Sequence, residues 1–393
     1  MATNPRRVLY VEGNVFGTVG GSYFSLLYLV SGLDRRQYEP LVVFAADNAL
    51  LPRFHSAGVR TLIRPLAAAT RLPGTIGRLL AKGLNFWRGL VVEPLRLASL
   101  LRRERIELVH LNNSIVRNHP WMIAARLAGV PCITHERGIN ETFLTRDRWL
   151  ASGLKAIVCI SAAVRDNFIA RGLGHLPLVT IHNGLDPDAM PITHSVSEIR
   201  NELEVRAEQR LVGIIGNIKP WKGQEVVIRA IGLLRDEFPD LVCVLIGDTS
   251  PDDEAYRERI ETLIDQLGLR GRVLITGFRA DVANYIAALE IQIHASIAPE
   301  PFGRVLLEGM ALGKPLVASS GGAVSEIVVD ATTGLLFEPG NPEALADALR
   351  SLLNDPIRAA AMGLAGRQRL AVEFSIQRNV SETQAIYDRL LPG

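Results

Sequence analysis

Two carboxylates, Glu300 and Glu308, stand eight positions apart in the run Glu300-Pro301-Phe302-Gly303-Arg304-Val305-Leu306-Leu307-Glu308. Pro301 disfavours helix at Glu300, and from Phe302 onward the spacing of Val305, Leu306, Met310 and Leu312 predicts a helix. Glu300 therefore belongs to the entry loop, with Glu308 about one and a half turns inside. Amides at a helix start attract phosphate, and Gly303 lets that phosphate come close, so Phe302, Gly303, Arg304 and Val305 form a candidate phosphate turn. A carboxylate beside an anion is unfavourable unless it accepts hydrogen bonds from hydroxyls. Glu300 then suits a sugar hydroxyl and Glu308 a ribose.

A second element supplies positive charge. Gly216-Asn217-Ile218-Lys219-Pro220-Trp221-Lys222-Gly223 follows a predicted strand and precedes a predicted helix, which places Lys222 at a helix entry where an ammonium stabilises a leaving diphosphate. His135 ends an apolar strand, so its ring sits at the C-terminal edge of a sheet. Asn112, Asn113 and Ser114 leave the preceding strand in the same way and are candidates for an acceptor side; as a polar turn they also make ordinary caps. The loop from Gly13 to Gly21 brings Gly20 and Gly21 to the first helix entry, but its spacing does not fit the dinucleotide fingerprint. Its amides are expected to meet a diphosphate or to admit an acceptor, against the bland alternative of a turn capped by Ser22.

These stretches, in this order with Asn183-Gly184, Gly277-Phe278, Gly321-Gly322 with Glu326, and Gly334-Leu335-Leu336, resemble the family 4 retaining glycosyltransferases of the GT-B fold. The resemblance covers nearly the whole chain, and its most specific part is the Glu-Pro-Phe-Gly turn with its helix glutamate. It implies an α/β protein of two Rossmann-like, doubly wound parallel-sheet domains facing across a cleft. It also implies transfer of a sugar from a nucleotide diphosphate donor to a hydroxyl acceptor with retention, with His135 and Glu300 on the transferred sugar. Phe278 and Arg279 would meet the nucleobase. The family more often carries an arginine where this chain has Asn217, leaving Lys219 to substitute in the cationic clamp beside Lys222. Fixed cations with helix dipoles can replace a metal, so neither metal nor cofactor is expected.

The elements that must position these groups read as alternating strands and helices. Seven strands are predicted before residue 186, near 8–11, 40–45, 59–63, 108–111, 131–135, 156–160 and 179–182. Six follow, near 211–215, 242–246, 273–276, 291–294, 315–318 and 334–337. The polar, aperiodic stretch Asn183 to Ser197 reads as a linker, giving domains 1–186 and 187–373. A final amphipathic helix, 374–393, is expected to pack back on the first domain, as the resemblance implies.

A chain of 393 residues with 48% hydrophobic and 21% charged residues exceeds what one core usually serves. Cys132, Cys159 and Cys243 are isolated in apolar runs, which argues against a disulfide scaffold or a zinc site and fits a reducing cytoplasm. Arg6-Arg7 is followed by only four apolar residues, so no signal peptide is expected, and the uncharged stretch 13–33 reads as a glycine-bearing loop and a buried helix. Residues 1–186 hold 23 Lys/Arg against 12 Asp/Glu, whereas the remainder holds 20 against 29. Within the basic half, residues 64–105 interleave nine Lys/Arg with Leu79, Leu80, Leu84, Phe86, Trp87, Leu90, Val91 and Leu95. That pattern suits either an anionic membrane surface or helices packed on the domain. Nucleic acid is not expected, since no recognition fold accompanies the charge. Saccharide or lipid-linked acceptors, and envelope or exopolysaccharide synthesis, follow from the resemblance. A sugar-nucleotide epimerase and a non-catalytic nucleotide-binding scaffold are the alternatives; a dehydrogenase fits worst.

Overall fold

The structure, a computed structural model, describes residues 4–14, 20–65 and 70–391. The chain divides into two compact units: one runs to Gly184 and resumes at Ile376, the other is Leu185–Ser375.

The first unit is built on a seven-stranded sheet of order β3-β2-β1-β4-β5-β6-β7. Its strands are β1 (Arg6–Glu12), β2 (Tyr38–Phe44), β3 (Arg60–Ile63), β4 (Leu108–Leu111), β5 (Cys132–Glu136), β6 (Ala156–Cys159) and β7 (Leu178–Thr180). All its pairings are parallel, so each strand needs a crossover, and helices fill most of the intervening chain. Burial on both faces explains why β1 and β4 read as apolar runs rather than alternating ones. The helix Ile376–Leu390 belongs to this unit and contributes Ile376, Val380, Ile386 and Tyr387 to its core. Gly32, ending the helix Gly21–Gly32, allows that close approach: a Cβ there would lie 2.7 Å from a Val380 methyl.

The second unit carries a six-stranded parallel sheet of order β10-β9-β8-β11-β12-β13. Here β8 is Arg210–Ile215, β9 Leu241–Ile246, β10 Val273–Ile275, β11 Ile291–His294, β12 Leu316–Ser319 and β13 Gly334–Phe337. In both sheets the order reverses once, between β1 and β4 and between β8 and β11. Chain leaving the C-terminal ends of strands at such a reversal splays apart and opens a crevice for ligands.

The basic segment 64–105 divides in two. The helix Gly74–Trp87 runs through a π-helical turn, Arg88–Val92, into Glu93–Arg103. The second helix is packed on the unit through Leu97, Ala98, Leu100 and Leu101, whereas the first buries only Ala81 and leaves Ile76, Leu79, Leu80, Phe86 and Trp87 at least half exposed. All three cysteines are buried and free. Among the described residues, no helix is long and apolar enough to cross a membrane.

Candidate active site

In the second unit, the reversal between β8 and β11 brings together side chains 78 positions apart. The loop after β8 closes with a 3-10 turn, Pro220–Lys222, and Gly223 at φ +74° starts the helix Gln224–Leu234. A Cβ on Gly223 would lie 1.9 Å from the Ala295 carbonyl oxygen, so glycine is what lets this loop press against the end of β11. Lys222 Nζ then lies 2.7 Å from Glu300 Oε2 and 4.0 Å from the centroid of the Trp221 ring. Sequence reasoning assigned this lysine and this glutamate to different parts of a ligand; in the fold they hold each other.

Glu300 is 6% exposed and has further partners that sequence reasoning missed. Ser296 Oγ donates to its Oε2 at 3.0 Å, and His294 Nε2 lies 3.3 Å away, with His294 Nδ1 3.4 Å from Ser319 Oγ. Burial opposes ionisation, but the His294 hydrogen bond and the Lys222 charge outweigh it and hold the Glu300 carboxyl at about 2. The signal was available: a histidine ends β11 and a serine follows two residues later, both at the edge where the candidate turn begins. Gly322, at φ +67°, is bridged to Glu300, and the next amide, Ala323 N–H, donates to Glu300 O at 2.9 Å. Gly322 therefore seats the glutamate's backbone.

The helix after the turn is Arg304–Ala311, started by Gly303 at φ +87°. Glu308 is half-buried one turn in, 3.7 Å from Arg304 Nη2, and burial raises its pKa against the opposing pull of that guanidinium. The Phe302 side chain is buried edge-on against Phe374 and anchors the turn, so what the turn can offer a phosphate is its backbone. Val305 is likewise turned toward the apolar cluster, and its carbonyl accepts from Gln292 at 2.6 Å, which leaves the first-turn amides as the local anion donors.

Two further pairs of candidate residues have partners or exposure of their own. Lys219 is ion-paired with Asp253 at 3.2 Å, and Asn217 uses its carbonyl to accept from Gln224 at 3.0 Å. Arg279 pairs with Glu202 at 3.0 Å and lies over the Tyr285 ring, while Phe278 is 73% exposed and presents an open aromatic face.

In the first unit, Glu12 at the end of β1 accepts from Asn112 Nδ2 at 2.6 Å and from Asn113, across the β1–β4 reversal. Arg137 clamps Asn112 and reaches Asn183 Oδ1 at 2.8 Å. A cavity of about 140 Å³ borders this network, lined by Glu12, Arg64, Glu93, Arg117, Asn118 and Trp121 among others. Glu12 carried no assigned role in the sequence reading, although a lone acid ending an apolar strand marks such an edge. His135 is buried at the end of β5, 2.6 Å from His110 Nε2. Gly20 is exposed before the first helix, which Gly21 begins; residues 15–19 of the same loop lie outside the described residues.

Comparison with known proteins supplies the chemistry that this geometry serves. Residues 195–369 match the family model "Glycosyl transferases group 1", and residues 19–189 match "Glycosyltransferase Family 4". The chain is 27% identical to glycogen synthase of Mycobacterium tuberculosis over 94% of this chain and 91% of that one. It is 26% identical to the lipopolysaccharide core biosynthesis mannosyltransferase LpsB of Rhizobium meliloti, over 55% of this chain and 62% of LpsB. Among solved structures, Anabaena HepE in complex with UDP and glucose superposes with a TM-score of 0.80 at 25% identity, over 98% of this chain and all of that one.

Proposed function

We propose, from the premise that this chain belongs to the group 1 and family 4 glycosyltransferases, that it transfers a hexose with retention and without a metal requirement. The observation that carries this reading is the Lys222–Glu300 pair beside the helix started by Gly303. Departure of a nucleoside diphosphate builds negative charge on phosphate and positive charge at the anomeric carbon. Lys222 and the first-turn amides of Arg304–Ala311 would meet the first, and Glu300, freed from Lys222 by the incoming phosphate, would orient the sugar. Glu308 would hold the ribose, Phe278 would stack on the base, and His135 would contact the transferred sugar. HepE binds UDP and glucose, and several relatives are named for mannosyl or glucosyl transfer, which supports a nucleotide hexose as donor.

The test is a panel of UDP-, GDP- and ADP-hexoses, screened by thermal shift and then by product analysis in EDTA. With the donor so identified, Lys222→Ala and Glu308→Ala should each weaken it by roughly tenfold in calorimetry, the worth of one charge-assisted contact. Hydroxyls bond better to ionised Glu308, whose pKa is raised, so affinity should increase with pH through the weakly acidic range in wild type but not in Glu308→Ala. Unchanged affinity in both variants would remove these residues from the donor site.

The exposed apolar side of Gly74–Trp87, with Arg78, Lys82 and Arg88, supports peripheral attachment to anionic membranes at the cytoplasmic face and a lipid-linked or saccharide acceptor. Sedimentation with vesicles containing an anionic lipid should show binding that is lost when these three residues are changed to Glu. Equal sedimentation of both proteins would reject the attachment.

A further inference from the structure

Four buried side chains of the first unit form a continuous hydrogen-bonded line that ends at His135. Tyr10 Oη lies 2.9 Å from Tyr387 Oη, Tyr387 Oη 2.5 Å from His110 Nδ1, and His110 Nε2 2.6 Å from His135 Nδ1. Strands β1, β4 and β5 supply Tyr10, His110 and His135, and the helix Ile376–Leu390 supplies Tyr387. The two imidazole planes are only 11° apart. All four residues are at most 1% exposed.

Each neutral imidazole has one N–H and each phenol one O–H, so a line in which Tyr387 both donates and accepts can run in two senses. In one, Tyr10 donates to Tyr387, Tyr387 to His110 Nδ1, and His110 Nε2–H to His135 Nδ1, which leaves the His135 hydrogen on Nε2. In the other, every proton reverses, and the Tyr10 hydroxyl is left to donate to no acceptor among the described residues. The first sense leaves one unpartnered polar atom among the described residues, the His135 Nε2–H; the second leaves two, the Tyr10 O–H and the bare His135 Nε2, and this difference favours the first. Burial, helped by the nearby Arg137 charge, holds the His110 pKa at about 3 and that of His135 well below its ordinary value, so neither ring takes a second proton.

We propose that His110 and Tyr387 are positioning residues that lock His135 in its neutral Nε2–H tautomer, so that it offers the transferred sugar a hydrogen-bond donor and not a base. The lock stands on the geometry of the first unit; only its last step, contact with the sugar, rests on the role given to His135 above. His135 Nε2 has no partner among the described residues, as a donor awaiting a ligand oxygen requires.

The experiment is 15N-histidine labelling of the full chain, with two-bond 1H–15N spectra that separate protonated from bare ring nitrogens. His135→Asn and His110→Asn identify the two sets of signals by their loss. Wild type and Tyr10→Phe should show both rings protonated at Nε2, because Tyr387 still donates to His110 when Tyr10 loses its hydroxyl. Tyr387→Phe should shift both rings toward a mixture of tautomers, and its kcat should fall about tenfold, the worth of one hydrogen bond, with the donor KM within about twofold. His135 protonated at Nδ1 in wild type, or tautomers unmoved in Tyr387→Phe, would overturn the lock. Tautomers that shift with turnover unaltered would instead remove His135 from the sugar, so the two failures are separable.

Discussion

Glu300→Ala should lower turnover by about two to three orders of magnitude, the range seen when one preorganised polar contact to a reacting group is removed. Donor KM should change much less, because the charge and amides that hold the phosphates remain. The same residue supports the fold. Its carboxylate accepts from Lys222, Ser296 and, across 3.3 Å, faces His294, so its loss leaves a largely buried ammonium without its partner. Glu300→Gln keeps the shape and isolates the charge. The folded pKa of about 2 lies below the ordinary 4.5, so this group's contribution to stability is complete above the unfolded value and disappears as pH falls from about 4.5 toward 2. Such a shift corresponds to an effect on the order of 3 kcal/mol. Urea midpoints taken across that interval should converge for wild type and Glu300→Gln at the acid end and separate above pH 5. Curves that run parallel would show that the pair contributes no such linkage.

Gly322→Ala should destabilise the second unit by about 3 kcal/mol or more, combining a left-handed backbone with steric overlap. A Cβ at this position would lie 2.3 Å from the Glu300 carbonyl oxygen and 2.5 Å from its amide nitrogen, backbone atoms that cannot step aside alone. Relaxation must therefore move Glu300, and activity should fall together with the urea midpoint. Gly321→Ala is the control: its new methyl would approach nothing closer than 3.5 Å, so both readouts should stay near wild type. Equal behaviour of the two variants would contradict the seating of Glu300 by Gly322.

The strand framework was legible because parallel strands buried on both faces leave uninterrupted apolar runs, and each of the thirteen has an observed counterpart displaced by at most two residues at either end. The turn at Glu300 was legible from Pro301 and Gly303, whose backbone preferences are local. What escaped is non-local. Lys222 and Glu300 meet only because β8 and β11 are neighbours, and Tyr387 reaches His110 from 277 positions away. Phe302 looked like part of a ligand turn because nothing in its own segment reveals that Phe374 covers it. Lys219 looked available for the same reason, its Asp253 lying beyond the next strand. Spacing finds groups that share an element; it is silent on pairs that the sheet order creates.

The helix Ile376–Leu390 completes the core of a unit whose sheet was made some two hundred residues earlier. On the ribosome, where synthesis runs at roughly 5–20 residues per second, that sheet waits roughly tens of seconds for its last helix. The nascent amino-terminal sheet therefore keeps the face that Ile376, Val380, Ile386 and Tyr387 cover open until that helix has been made.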